Sequence, residues 1–224
     1  MKSFVYSTMA LGLVAALGSG AAQAQSAGSV ITKIGVNNID PKVSSGDLSA
    51  PSLPGTKIDV KDATSLILTA AYMVTDNVSV EGYVGLPYKH DVVGAGTIAS
   101  AGKISTIKQV SPTLFAQYRF LPPASALRPY VGLGVTYAYF YGEEGTGTLT
   151  TMTNPGGSPT RVTVDAAWGV SSQVGLAYKI NDQWGVDASA IKTYIKTTTH
   201  LSTGQHIDTR LDPLALNISL SYRY

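Results

Sequence analysis

The chain has no cysteine, which excludes disulfide staples, thiolate nucleophiles and sulfur-ligated metals. Beyond its first two dozen residues it also lacks any run of about eighteen apolar residues, so no membrane-crossing helix is expected in the mature protein. Charge is scarce: Asp, Glu, Lys and Arg make up 13% of the residues and the formal net charge is +2, so no basic field points to nucleic acid. Phenylalanine and tryptophan are few, at 4 and 2 copies, whereas tyrosine reaches 13. A ring with a polar tip suits a membrane–water interface.

At the N-terminus Lys2 precedes an apolar run from Met9 to Leu17, followed by Ala22-Gln23-Ala24, the small-x-small pattern of a signal peptidase site. The run is too short to cross a bilayer as a helix. The expectation is a signal peptide at 1–24 and one domain at 25–224. An exported chain without a spanning helix can sit in a membrane only as a closed barrel, because only closure pairs every backbone group.

The last twelve residues have that pattern. Leu214, Leu216, Ile218, Leu220, Tyr222 and Tyr224 alternate with Ala215, Asn217, Ser219, Ser221 and Arg223, so one face is apolar and the other small or polar. A tilted strand crosses the hydrocarbon in about nine to eleven residues, and this one ends in two interfacial aromatics. Eight such segments can be marked, at 30–39, 65–73, 78–92, a stretch ending at Phe120, 128–141, 162–179, 184–199 and 213–224. On the sixth, Val162, Val164, Trp168 and Val170 fall on one outward face. Long connections at 40–64, 94–103, 142–161 and around 200–208 alternate with short ones such as Val74-Thr75-Asp76-Asn77 and Asn181-Asp182-Gln183. The expected fold is all-β: an eight-stranded antiparallel transmembrane barrel with long extracellular loops, short periplasmic turns and no helix. A lumen of that size is filled by side chains or holds one small ligand, which argues against a general porin.

Particular residues add a resemblance. Tyr72-Met73-Val74-Thr75-Asp76-Asn77, Val80-Glu81, Pro87-Tyr88-Lys89-His90-Asp91, Ser111-Pro112-Thr113-Leu114, Arg128-Pro129-Tyr130-Val131-Gly132-Leu133-Gly134 and the terminal Tyr222-Arg223-Tyr224 follow one another along the chain. In this the sequence resembles the OmpW family of small outer-membrane proteins, departing from it in the final residue, Tyr224, where the family usually has Phe. The resemblance implies a bacterial outer-membrane barrel with an apolar channel in its outer half. Such a channel admits small hydrophobic molecules, hydrocarbons among them, and releases them laterally into the bilayer because the periplasmic end is blocked. The partners it implies are outer-membrane lipid and lipopolysaccharide, small hydrophobic molecules and the barrel assembly machinery.

Strand parity then sorts the interior. Near the periplasmic turns Glu81, Gln117, Arg119, Tyr130, Lys179, Asp187 and Arg223 point inward, and charges of both signs in a confined space are expected to pair into a plug. Higher up Ile67, Tyr83, Phe115, Phe140, Ile191 and Ile195 point inward and are the candidate substrate passage; Tyr83 and Ile191 fall where the family narrows its channel. The same residues also fit an ordinary packed core, which leaves a second function open: a structural or interaction barrel whose loops bind partners. Val43, Leu48, Leu53, Ile58, Val92, Val93, Ile98 and Ile104 make the loops greasier than exposure requires, as a greasy mouth, as local cores or as strand extensions. His90, His200 and His206 lie near loop ends with no nucleophile or third metal ligand at suitable spacing and are read as solvated rim residues. The sequence therefore predicts no enzyme, no cofactor and no metal. The many glycines, Gly132, Gly134, Gly169 and Gly175 among them, are assigned to barrel curvature.

Overall fold

Alternation in the sequence becomes alternation in exposure. The computed structural model describes residues 25–224, and the signal peptide expected at 1–24 lies outside the described residues. The strands in chain order are β1 (Val30–Asp40), β2 (Ser44–Ser45), β3 (Thr56–Val60), β4 (Ala63–Met73), β5 (Val78–Gly85), β6 (Tyr88–Gly96), β7 (Lys103–Val110), β8 (Thr113–Arg119), β9 (Leu127–Gly145), β10 (Val162–Val164), β11 (Ala167–Lys179), β12 (Trp184–Tyr194), β13 (Lys196–Leu201), β14 (His206–Arg210) and β15 (Leu214–Arg223). Eight of them close a ring in the order β11-β12-β15-β1-β4-β5-β8-β9, with β9 returning to β11. Each neighbouring pair is antiparallel, as Val36 opposite Ile218 on one side and Leu66 on the other illustrates. The fold is a closed eight-stranded antiparallel barrel.

The outer face is an apolar band. Ile34, Leu68, Leu133, Val170 and Ile218 are more than half exposed, which is stable only against lipid. Aromatic girdles flank it. Trp184, Tyr222 and Tyr224 stack edge to face at the turn end, with ring centroids 4.9 and 4.8 Å apart, and Tyr137 and Trp168 meet at the loop end. Inside, two glycines permit close approach rather than curvature alone. A Cβ on Gly175 would lie 2.2 Å from the Tyr130 ring, and one on Gly85 2.6 Å from the Tyr88 ring. Both rings lie across the lumen because those positions carry no side chain.

Above the membrane band the ring opens into two sheets, β9-β7-β6-β3 and β10-β13-β14-β2. Several strands break on the way up, at Lys61-Asp62, Leu86-Pro87 and Asp165-Ala166 among others. These breaks turn the chain over. Val84 and Leu86 face out, yet Tyr88, His90 and Val92, on the same parity, are buried. Proline cannot donate to a ladder, so Pro87 frees the chain to rotate between β5 and β6. The same flip corrects the sixth strand: Val162 and Val164, expected to share the outward face of Trp168, are buried. The segments read as loops are also more ordered than expected. They contain β2, β3, parts of β6 and β9, β14 and a short helix, α1 (Gly147–Thr153), capped where the Thr146 hydroxyl accepts the Leu149 N–H at 3.3 Å.

Candidate functional site

The lumen is best followed upward from its turn end. Arg128 is fully buried there and donates to the carbonyls of Gln25, Asp76 and Leu121 at 2.9, 2.6 and 3.2 Å. This ties the first described residue across the barrel floor. Arg223 donates to the Asp182 carbonyl at 3.3 Å.

Above that floor lies a layer of ion pairs. Lys33, buried on β1, reaches Glu81 of β5 at 2.8 Å and Asp187 of β12 at 3.2 Å. Thr69 donates to Glu81 and the Tyr130 hydroxyl to Asp187, both at 2.8 Å. Gln117 bridges Glu81 and Gln173 and accepts from Arg119 at 3.0 Å. The ring of Tyr130 lies 5.3 Å from the Lys33 ammonium and 4.8 Å from the Arg119 guanidinium. Two cations thus balance two carboxylates around one aromatic, and Glu81, Asp187 and Arg119 each also hydrogen-bond a neutral side chain.

Of the residues expected to form this plug, Glu81, Gln117, Arg119 and Asp187 meet, and Arg223 lies buried beneath them. Lys179 does not join. It points to the turn and pairs with Asp182 at 2.7 Å, and that hydrogen bond holds the Asp182 carboxyl below its usual range. The central cation, Lys33, was not singled out in the sequence, although its parity with Gly35 and Asn37 placed it on the inner face.

An apolar tier follows. Ile67, Tyr83, Phe115 and Ile191 pack together with Ile39, Ala63, Tyr88 and Ala215, and the Tyr83 and Phe115 rings meet edge to face at 6.4 Å. Phe140 and Ile195 belong to a separate cluster higher up, with Val92, Ile107 and Leu201.

Among the described residues, three neighbouring cavities run through the outer half. The lowest, about 50 Å³, touches Tyr83, Ile191 and Ile195. The middle one, about 30 Å³, touches His90, Phe140 and Val164. They share Pro41, Gln109 and Leu211 as walls. The uppermost, about 230 Å³, shares Ile58, Val92, Ile107 and Thr199 with the middle one. Leu53 and Met152 on its rim are exposed, so it opens outward. Of the greasy loop residues, Leu48, Leu53, Ile58, Val92, Ile98 and Ile104 line it, several of them on strands, whereas Val43 packs against the cluster beside it and Val93 is half-buried on β6 away from it. Ile67 and Phe115 line none of these three and pack in the apolar cluster below them.

His90 departs most from its sequence reading. Expected on a solvated rim, it is 2% exposed and lines the middle cavity. The flip at Pro87 is the cause, and the Leu86-Pro87 dipeptide was the signal that could have shown it. Burial pushes its imidazole pKa down. His200 and His206 remain exposed. Among the described residues no cluster of three metal-ligating side chains is present.

The wall beside these cavities has a seam. β9 pairs with β11 only as far as Ala138 opposite Ala167, and above that level β10 pairs with β13, not with β9. A bond from the Val164 N–H to the Glu143 carboxylate, at 3.3 Å, spans the gap. Phe140 and Val164, on its two sides, both line the middle cavity.

Comparison with known proteins agrees with this architecture. The OmpW family model matches residues 26–224. Outer membrane protein W of Salmonella typhi is 35% identical, covering all of both chains. The dibenzothiophene metabolism operon protein PahQ of Pseudomonas aeruginosa is 29% identical, covering 79% of each. Among solved structures, the outer membrane protein OprG of Pseudomonas aeruginosa superposes with a TM-score of 0.81 at 29% identity, covering 90% of this chain and 98% of its own.

Proposed function

The chain belongs to the OmpW family of the bacterial outer membrane, and on that premise we propose that its barrel is a passive channel for small hydrophobic molecules. The column of contiguous cavities in the outer half, standing above a lumen filled by ion pairs, carries this reading. Solutes partition from outside into the large upper cavity, where burial is worth about 0.8 kcal/mol per methylene. They descend through the middle cavity to the level of Tyr83 and Ile191. The Lys33–Glu81–Asp187 layer closes the periplasmic end, since an apolar molecule cannot replace the partners those charges would lose.

Exit is sideways, through the seam between β9 and β10 into the bilayer. The seam supports this because its flanking residues border the middle cavity and few backbone bonds would have to part. Exposed aromatics just below it, Tyr139 and Trp168, are the kind of side chain that favours the outer interface and support a route from the seam down into the lipid. The operon name of the Pseudomonas relative points to a flat, apolar aromatic compound, which suits a site that selects by size and shape. Tyr83→Ala and Ile191→Ala test the passage. Each is expected to speed uptake of the bulkier hydrocarbons by intact cells at equal protein abundance. Unchanged uptake in both would refute the assignment.

A further inference from the structure

Four buried polar atoms along the cavity column make no hydrogen bond to any described residue. They are Nε2 of His90 and Oγ1 of Thr209, two residues that line the middle cavity, and Oδ1 of Asn37 and the hydroxyl of Tyr83, two that line the lower one. None of the four residues is more than 8% exposed. Leaving such atoms unpaired is costly, and two pairs of them on two successive, otherwise largely apolar cavities call for a reason.

The geometry fixes what each would bind. Nδ1 of His90 lies 2.8 Å from the Lys61 carbonyl, which can only accept, so Nδ1 carries the hydrogen and Nε2 presents a bare lone pair. The Thr209 hydroxyl beside the same cavity both donates and accepts. The Asn37 amide nitrogen donates to the Tyr88 hydroxyl at 2.8 Å, which leaves its oxygen as a second acceptor. Tyr83 adds another hydroxyl. Each level therefore offers an acceptor and a hydroxyl, the complement of a group that both donates and accepts one hydrogen bond.

We propose that the passage prefers small amphiphiles with one hydroxyl head, alcohols and phenols, over alkanes of the same length. His90 and Thr209 receive the head in the middle cavity, and Asn37 and Tyr83 receive it in the lower one. The inference rests on the channel reading and names its substrate class. The sizes agree with it: cavities of about 30 and 50 Å³ take a head group, and the upper cavity of about 230 Å³ takes the trailing hydrocarbon. Water molecules resident at the same atoms are the rival explanation.

The test compares uptake of labelled 1-octanol and n-octane by cells lacking the protein, after restoring the natural chain or a variant. The natural chain is expected to raise uptake of both, and of the alcohol more. His90→Phe and Thr209→Val are each expected to lower the alcohol-to-alkane ratio about three- to tenfold, the worth of one neutral hydrogen bond, with octane uptake retained. His90→Gln keeps an acceptor and is expected to keep most of the preference. Folding is checked by the shift in gel mobility on heating, and if His90→Phe fails that check the near-isosteric Thr209→Val decides. An unchanged ratio in folded variants that still take up octane would overturn the proposal and leave resident water as the occupant. If the natural chain raises uptake of neither compound, the channel reading itself fails, and this inference with it.

Discussion

Lys33 holds the inner half of the barrel together through two carboxylates that would otherwise repel each other in a medium with little water. Glu81 and Asp187 lie 2.8 and 3.2 Å from the one ammonium. Lys33→Met leaves both without it and is expected to lower barrel stability by about 3–5 kcal/mol, the usual cost of stranding buried charge. Urea unfolding in lipid vesicles measures this, and adding Glu81→Gln and Asp187→Asn should recover part of the loss. His90 makes the opposite prediction, in the extracellular half. Burial lowers its pKa in the folded state, against the nearby charges of Asp62 and Asp91, which raise it. The unfolded chain therefore binds a proton first. Stability is full above about pH 6.5 and falls as pH drops below it toward the folded value. Protease resistance of the upper sheets should weaken over that interval, and His90→Gln should flatten the dependence. At this scale the sequence was half legible: parity placed Glu81 and Asp187 inside correctly, but it cannot say which inward lysine stands between them.

The elements differ in how plainly their sequences declared them. β15 was legible because its alternation runs unbroken from Leu214 to Tyr222 and one face meets lipid. β6 and β10 were not, because the breaks at Leu86-Pro87 and Asp165-Ala166 turn the chain over and reverse every side chain beyond them. α1 was missed because seven residues are too few for a helical period to show, and its stability depends on the Thr146 cap and on Leu149 buried beneath. Thr146→Ala is expected to cost about 1 kcal/mol locally and to raise hydrogen exchange over Gly147–Thr153 without changing the barrel. The seam between β9 and β10 also belongs to this scale. Val164→Trp puts bulk beside it and is expected to slow delivery of hydrocarbon to the membrane while the heat-induced gel shift stays normal. Unaltered delivery would place the exit elsewhere.

For the whole molecule, the division into a charged inner half and an apolar outer half is what a passage with a closed end requires. The barrel itself could be read from lengths, turns and alternation, because a lipid-exposed wall imposes period two on every strand. The cavities could not, since their walls come from side chains brought together by strands far apart in sequence, such as Ile58, Val162 and Ile207. Uptake of a graded series of apolar compounds by cells lacking the protein, with and without its restoration, tests the central claim most directly. The account predicts a protein-dependent increase that falls off with solute size. No increase for any compound, with the barrel folded in the outer membrane, would contradict it and favour a structural or partner-binding barrel.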